Sequence, residues 1–356
     1  MNNNGAAIAM TAGMFTIDGS QGEGGGQVLR SSLALSLVLG RPFVIEKIRA
    51  GRKKPGLLQQ HLTAVLAAAD VGCAEVEGAA LGSRRLAFRP GPVRPGDYSF
   101  RVGTAGSATL VLQTVLPALL LAEGESNLVL EGGTHNPMAP PVDFLEKAYL
   151  PLVNRLGPRV ELQLVRPGFY PAGGGKFTVR VQPAKQLGRL ELLDRGPITS
   201  RRVRAMVANL PRQVAERECR AIAQEAGWGE ASFSIDEVKG SRGPGNVVMV
   251  ELETEHVTEV FTAFGQLGVR AEDVAKEALR QAEEYLAAGV PVGKYLADQL
   301  MLPLGIGAHL GSGGGVFRTM DLSPHATTHL EVLRRFLESD IHVEQDGPDG
   351  WLTRIG

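Results

Sequence analysis

Apolar and polar positions along this chain repeat one order of elements three times. In the first stretch a glycine run opens into an apolar helix over 24–40 (GGGQVLRSSLALSLVLG). A short strand at 43–48, a second helix over 55–69 and a strand beginning near Cys73 follow. In the second stretch, residues 102–122 (VGTAGSATLVLQTVLPALLLA) predict the first helix, NLVLEGG the strand, 141–156 the second helix and 160–165 the closing strand. In the third, the same roles fall to 290–307 (VPVGKYLADQLMLPLGIG), GVFRTMDL, 324–337 and IHVEQD. Each second helix begins at or near a proline, Pro55, Pro141 or Pro324. Proline is favoured there because the N–H it lacks is one the first turn leaves unpaired anyway.

The interval from the second to the third of these prolines exceeds the first interval by roughly 100 residues, the size of a domain. Residues 188–289 supply the excess. They read as strands at 190–193 and 203–208, a helix over 211–226, strands at 232–238 and 246–253, and a charged helix over 271–288. The expectation is an α/β (α+β) protein whose large domain, 1–187 plus 290–356, consists of three repeated α/β units. A smaller α/β domain, 188–289, is inserted before the third unit.

Composition narrows the function. The 356 residues suffice for two domains, and 44% hydrophobic with 21% charged residues is ordinary for a globular protein. The 45 glycines cluster without a three-residue period, which excludes collagen, and 5% aromatic residues leave little for a base-stacking surface. The 37 basic and 38 acidic residues nearly cancel, so a uniformly basic coat for nucleic acid is excluded and any phosphate site must be local. Two distant cysteines, Cys73 and Cys219, exclude a disulfide framework and fit the reducing cytoplasm. The stretch 1–14 reads as a frayed tail rather than a signal peptide. The most apolar run, 108–122, contains Gln113 and Pro117 and is too short to span a bilayer, so no membrane is expected.

The glycine-rich loops fail the familiar nucleotide motifs. A P-loop needs Ser or Thr after its Gly-Lys, yet Gly293-Lys294 is followed by Tyr295 and Gly175-Lys176 by Phe177. A dinucleotide fingerprint starting at Gly22 and Gly24 meets Gln27 where glycine is required. The first loop (DGSQGEGGGQVLR, 18–30) still offers backbone that can approach phosphate, one carboxylate, Glu23, and Gln27 and Arg30 on one face of the helix behind it. A carboxylate together with substrate phosphates is a common way to hold Mg²⁺, which keeps several of its waters. Arg49, Arg52, Lys53, Lys54, Gln60 and His61 follow. They are either a phosphate-handling cluster or a solvated basic loop and an ordinary helix.

Among seven histidines, His325 and His329 in SPHATTH (323–329) are the most patterned, four apart on one helical face. A zinc protease motif would need Glu where Ala326 stands, and no third ligand is visible. Alternatively, His325 lies just inside a helix N-terminus after Ser323 and Pro324. The positive helix end disfavours imidazolium, and a neutral imidazole nitrogen can attack phosphorus to form a phosphoramidate.

Together these segments resemble the RNA 3′-terminal phosphate cyclase family over nearly the whole chain, from about Thr16 to Arg354. The resemblance rests on the order and spacing of DGSQGEGGGQVLR (18–30), RAGRKKPGLLQQH (49–61), GSATLVLQT (106–114), GGTHNPMAPPVDF (132–144), GFYPAGGGK (168–176), GKYLADQLMLP (293–303), GSGGG (311–315) and PHATTH (324–329). It implies the three-unit architecture with one insertion. It also implies an activity: ATP and a divalent cation (Mg or Mn) convert an RNA 3′-phosphate end to a 2′,3′-cyclic phosphate, through an enzyme histidine–AMP and an RNA–adenylate, releasing pyrophosphate and AMP. The resemblance makes His325 the nucleophile and Glu23 the metal ligand. It gives Arg30, Arg49 and Arg52, with Gln60 and His61 beside them, the phosphates, and matches Gln113 to a polar position. Tyr295, Asp298 and Gln299 match the nucleotide pocket, with Tyr295 stacking on adenine and Pro140 as the opposing face. His329 stands where bacterial members often carry Asn, which leaves its role open among a supporting hydrogen bond, a surface position and redundancy with His325.

Three rivals remain in view. A non-catalytic, RNA-binding ribosome-biogenesis relative of the same fold would lack the accepting histidine, a zinc hydrolase would need the missing ligands, and an enolpyruvyl transferase would not explain PHATTH. Arg201, Arg202, Arg204, Lys239 and Arg242 of the inserted stretch either help hold RNA or are a solvated face.

Overall fold

The computed structural model describes residues 14–348 and 350–356, so the tail expected over 1–14 lies outside the described residues except for Met14. The chain is an α/β protein, and its described residues form four small sheets. In the first, β1 (Phe15–Asp18) pairs in parallel with β2 (Phe43–Glu46). Antiparallel β4 (Leu86–Arg89) and β3 (Glu75–Glu77) complete the order β1-β2-β4-β3. The second sheet has the same order and the same senses, with β5 (Asp97–Arg101), β6 (Ser126–Gly132), β8 (Gly175–Gln182) and β7 (Arg159–Arg166). So has the third, with β9 (Arg189–Leu192), β14 (Gly314–Thr319), β16 (Trp351–Ile355) and β15 (Ile341–Gln345). One expectation is corrected here. The strand expected at 190–193 is β9, and its partner is β14, far along the chain, so it belongs to the third sheet and not with the stretch that follows it.

The fourth sheet differs in order. β10 (Ile198–Ala208) lies between parallel β11 (Phe233–Val238) and antiparallel β12 (Gly245–Thr254), with β13 (Thr258–Phe264) outermost. Its two faces are both apolar, and the period of two sorts them. Val203, Ala205 and Val207 of β10 share a core with Val248 and Val250 of β12 and with the later helices of this segment. Met206, Ala208, Val247 and Met249 join the main core, which runs from Ile17 to Ile355.

Among the described residues eight helices cover the sheets. α1 (Gln27–Leu39) ends at Gly40, whose left-handed φ of 64° closes the helix. α2 spans Gln59–Val71 and α3 Ala108–Leu119. α4 runs as Val142–Phe144, a π-turn at Leu145–Tyr149 and then Leu150–Arg155. α5 (Gln213–Ala226) and α6 (Ala271–Ala288) back the fourth sheet, and α7 (Lys294–His309) and α8 (Pro324–Phe336) follow. The helix expected from Pro55 starts four residues later. Gly56 takes φ 78° and the amide of Leu57 bonds to the Ser83 carbonyl, which removes 55–58 from the helix. Among the described residues no helix is long and apolar enough to cross a membrane.

Candidate active site

Five helices bring polar side chains to one pocket. Gln27, Arg30 and Ser31 come from α1, Gln113 from α3, Tyr149 from α4, Asp298, Gln299 and Leu302 from α7, and His325 and His329 from α8. Ser323 caps α8 by accepting the Ala326 N–H at 3.1 Å, and Pro324 opens the first turn, so His325 sits in that turn.

Asp298 is the hub. It is 5% exposed, and each carboxylate oxygen accepts two side-chain hydrogen bonds. Oδ1 takes Gln27 Nε2 at 2.8 Å and His329 Nδ1 at 3.0 Å, while Oδ2 takes His325 Nδ1 at 3.1 Å and Gln299 Nε2 at 3.0 Å. Burial opposes ionisation of Asp298, but the hydrogen bonds from His325 and His329 outweigh it and hold the carboxyl well below the usual range. An ionised carboxylate has no proton to give, so each imidazole donates its Nδ1–H. The His325 side chain is 39% exposed, and its Nε2 makes no hydrogen bond among the described residues. The carboxylate thus fixes the proton on Nδ1 and leaves Nε2 as the nitrogen with the lone pair.

A cationic group lines the same pocket, and helix starts lie beside it. Enclosure lowers the Arg30 guanidinium to about 10, while Asp298 pulls in the opposite direction, so Arg30 remains charged near neutral pH. Burial, with Arg30 and Arg49 adding to it, lowers His61 to about 3. His61 is therefore neutral, and its Nδ1 accepts the Leu58 N–H at 3.2 Å at the start of α2. Gly26, just before α1, lies against the His61 ring and Arg30, and a Cβ there would collide with both. Gln60 Oε1 accepts the N–H of Ser107, the cap of α3, at 3.0 Å. Gly22, at φ 56°, packs on Thr328 of α8 where a side chain would not fit, and Thr328 Oγ1 accepts the Glu23 N–H at 3.2 Å. These contacts gather the N-termini of α1, α2, α3 and α8, each with its excess of unpaired N–H groups, in one neighbourhood suited to anions.

Residues 21–343 match the model of the RNA 3′-terminal phosphate cyclase family. The chain belongs to that family. Three proteins named RNA 3′-terminal phosphate cyclase are similar along nearly their whole length. The protein of Koribacter versatilis (strain Ellin345) is 53% identical over 333 residues, 94% of this chain and 92% of its own. That of Ralstonia nicotianae is 50% identical over 331 residues, 93% of each chain, and that of Ectopseudomonas mendocina 48% over 336 residues, 94% of this chain and 96% of its own.

The cyclase resemblance distributes roles over eleven further residues, and the structure gathers them unevenly. Arg30, Gln113, Asp298 and Gln299 share the pocket with His325, and Gln113 Nε2 donates to Gln299 Oε1. His61, Gln60 and Glu23 adjoin it through the contacts above. Arg52 lies over Gly25 and reaches the Glu23 carboxylate at 3.5 Å. Arg49 turns inward and spends Nη1 on the carbonyls of Lys54 and Gly56 at 2.6 and 2.9 Å. Pro140 and Tyr295 do not line the pocket. The Pro140 carbonyl accepts Thr109 Oγ1, and Tyr295 is 51% exposed, with the Lys294 ammonium 5.1 Å from its ring centroid.

Tyr149 and Glu259 carry no motif signal. Tyr149 reaches the pocket from the π-turn of α4, and burial raises its phenol. Glu259 of β13, buried, accepts the N–H of Gly293 at 2.6 Å at the start of α7, and burial pushes it up to about 8. A second Asp–His pair lies elsewhere. His135 is fully buried, with Nε2 2.7 Å from Asp143 Oδ2 and Nδ1 2.8 Å from Thr134 Oγ1, and Arg204 Nη1 reaches Asp143 Oδ1 at 2.7 Å.

Among the described residues no group of three His, Cys, Asp or Glu is arranged to hold a metal ion, so no cage made by protein alone surrounds Glu23. A single half-exposed carboxylate beside the anion-suited loop fits a cation whose other ligands are water and substrate phosphate.

Proposed function

We propose that this chain converts an RNA 3′-terminal phosphate to a 2′,3′-cyclic phosphate, consuming ATP through a covalent adenylate on His325. The observation that carries the reading is the Asp298–His325 pair, in which the carboxylate takes the Nδ1 hydrogen bond and the half-exposed ring, its Nε2 unpaired, lines the pocket with Arg30. In the first step Nε2 attacks the α-phosphorus of ATP. A P–N bond forms, the P–O bond to pyrophosphate breaks, and Asp298 stabilises the resulting imidazolium character through Nδ1–H. An oxygen of the RNA 3′-phosphate then attacks the same phosphorus, the P–N bond breaks and His325 is regenerated. Finally the 2′-OH attacks the activated 3′-phosphorus, losing its proton, and AMP leaves. The last step gains from proximity because both groups sit on one ribose.

Arg30, Arg52 and the gathered helix N-termini offset the charge of the phosphates. Arg49 shapes its loop through Nη1, and its remaining N–H groups are left to meet phosphate. Gln113 and Gln299 offer the polar edge for adenine. Tyr295, exposed outside the pocket lining, would stack on the base through the ring face that Lys294 does not cover, with Pro140 as the opposing face. Glu23 is the residue that would hold Mg²⁺ or Mn²⁺, and that ion, when bound, supplies further charge neutralisation on phosphate oxygens. The reading includes a large domain of three units and an inserted domain within 188–289, now starting after β9. Its support is the separate core from Val203 to Tyr285. It places the protein in the cytoplasm, in keeping with two free cysteines.

An RNA ending in 3′-phosphate, incubated with ATP and Mg²⁺, tests the proposal. The expected product resists phosphatase and forms with stoichiometric AMP and pyrophosphate. An end that stays phosphatase-sensitive, with no AMP formed, contradicts it.

A further inference from the structure

His329 is the residue whose purpose the pairing of Asp298 with His325 does not by itself explain. It sits one turn beyond His325 on α8 and is 4% exposed. Its Nδ1 lies 3.0 Å from Asp298 Oδ1 and also 3.1 Å from the main-chain oxygen of the same residue. One N–H therefore bridges the side chain and the backbone of Asp298. That geometry restrains the side-chain torsions of Asp298, because rotating the carboxylate away breaks the bridge. Gln27 alone would remain on Oδ1, and it comes from a flexible amide whose own Oε1 is buried without a partner. The other ring nitrogen of His329, Nε2, is also buried without a partner. The fold thus accepts the cost of an unsatisfied atom to keep Nδ1 in place.

We propose that His329 is a positioning residue. Through Nδ1–H it locks the Asp298 carboxylate so that Oδ2 faces His325, and in this way it keeps the His325 proton on Nδ1 and the lone pair on Nε2. The inference rests on the proposed role of His325 as nucleophile. It assigns His329 no contact with the reacting atoms, and it separates His329 from a second, redundant nucleophile. Among the described residues Asp298 alone hydrogen-bonds to it, while Gln27, Arg30 and His325 share the pocket wall.

Two variants divide the functions of the ring. In His329→Asn the amide nitrogen occupies the place of Nδ1 and can make the same bridge, whereas nothing replaces Nε2. In His329→Leu both nitrogens are lost while the volume is roughly kept. The measurements are the rate of enzyme–AMP formation against ATP concentration, the ¹⁵N NMR tautomer of His325, and the melting temperature as a check on folding.

The expected result is that His329→Leu slows enzyme–AMP formation on the order of tenfold, mainly in the maximal rate, and moves part of the His325 population to the Nε2–H tautomer. His329→Asn restores both to within about threefold of the parent. An Asn variant as impaired as the Leu variant would overturn the proposal and indicate that Nε2 touches the ligand. Two variants indistinguishable from the parent would overturn it as well, as would label retained on His329 when His325 is replaced. If the parent enzyme forms no enzyme–AMP, the reading of the site fails instead. The tautomer of His325 still tests the lock in that case, because it is read without ATP.

Discussion

Two buried aspartates in this molecule each hold a histidine, and only one of the pairs is placed to do chemistry. Asp143 and His135 are sealed. Both imidazole nitrogens are engaged, by Thr134 and by Asp143, and Arg204 takes the remaining carboxylate oxygen. The pair ties the loop before α4 to β10 of the fourth sheet. Asp298 and His325 use the same chemistry with one nitrogen left over. His325 Nε2 has no hydrogen-bond partner among the described residues, and its half-exposed ring lines a pocket with a charged arginine. The difference teaches that an Asp–His contact is not itself a catalytic signature. The second nitrogen, its exposure and the charge around it decide.

The sharpest way to break the comparison is to remove each carboxylate. Asp143→Ala leaves the buried His135 without its carboxylate and takes from Arg204 one of its two carboxylate partners, Asp236 being kept, and a loss of about 1–3 kcal/mol is expected, read as a fall in the denaturation midpoint. The protein that remains folded should still become adenylylated. Asp298→Asn is expected to do the reverse. Its amide N–H must face one of the two imidazoles. It can force the proton of His325 onto Nε2, so the rate of enzyme–AMP formation should fall on the order of 10²-fold or more, with a smaller effect on the midpoint. Equal effects of the two substitutions on both measurements would erase the distinction.

A finer test concerns Glu259, which joins the fourth sheet to the start of the helix that carries Asp298. Burial raises this carboxyl from an ordinary 4.5 to about 8, so the folded state binds its proton more tightly than the unfolded state does. The parent protein should therefore lose stability as pH rises from about 4.5 towards about 8, by at most about 1.4 kcal/mol per pH unit, and level off above that. Glu259→Gln keeps an acceptor for the Gly293 N–H and removes the titration. Its midpoint relative to the parent should climb across that window. A difference that does not change with pH would place the burial of Glu259 in doubt.

Long amphipathic helices were the most legible part of the fold. α6 and α8 run within a residue of expectation because charge on one face and apolar residues on the other leave little choice. β4, β5, β13 and β16 went unanticipated, and β4, for example, has only four residues, too short for a period to register. β8 does alternate, with Phe177, Val179 and Val181 buried, but the glycine run before it makes the segment read as loop. In the site, His325 and Asp298 were readable because they stand in spaced motifs. Tyr149 was not, since it enters through a π-turn that an apolar helix pattern does not reveal. Nor was the role of His329, which depends on the direction of one ring nitrogen. Nor was Glu259, which lies on the unanticipated β13 and is buried where the start of α7 meets it.

The most direct measurement is label transfer from ATP labelled at the α-phosphorus, followed on denaturing gels for the parent, His325→Ala and His135→Gln, with label normalised to folded protein. The account predicts an acid-labile, alkali-stable label in the parent and in His135→Gln and none in His325→Ala. Label that survives the loss of His325, or a parent that takes up none, would contradict it.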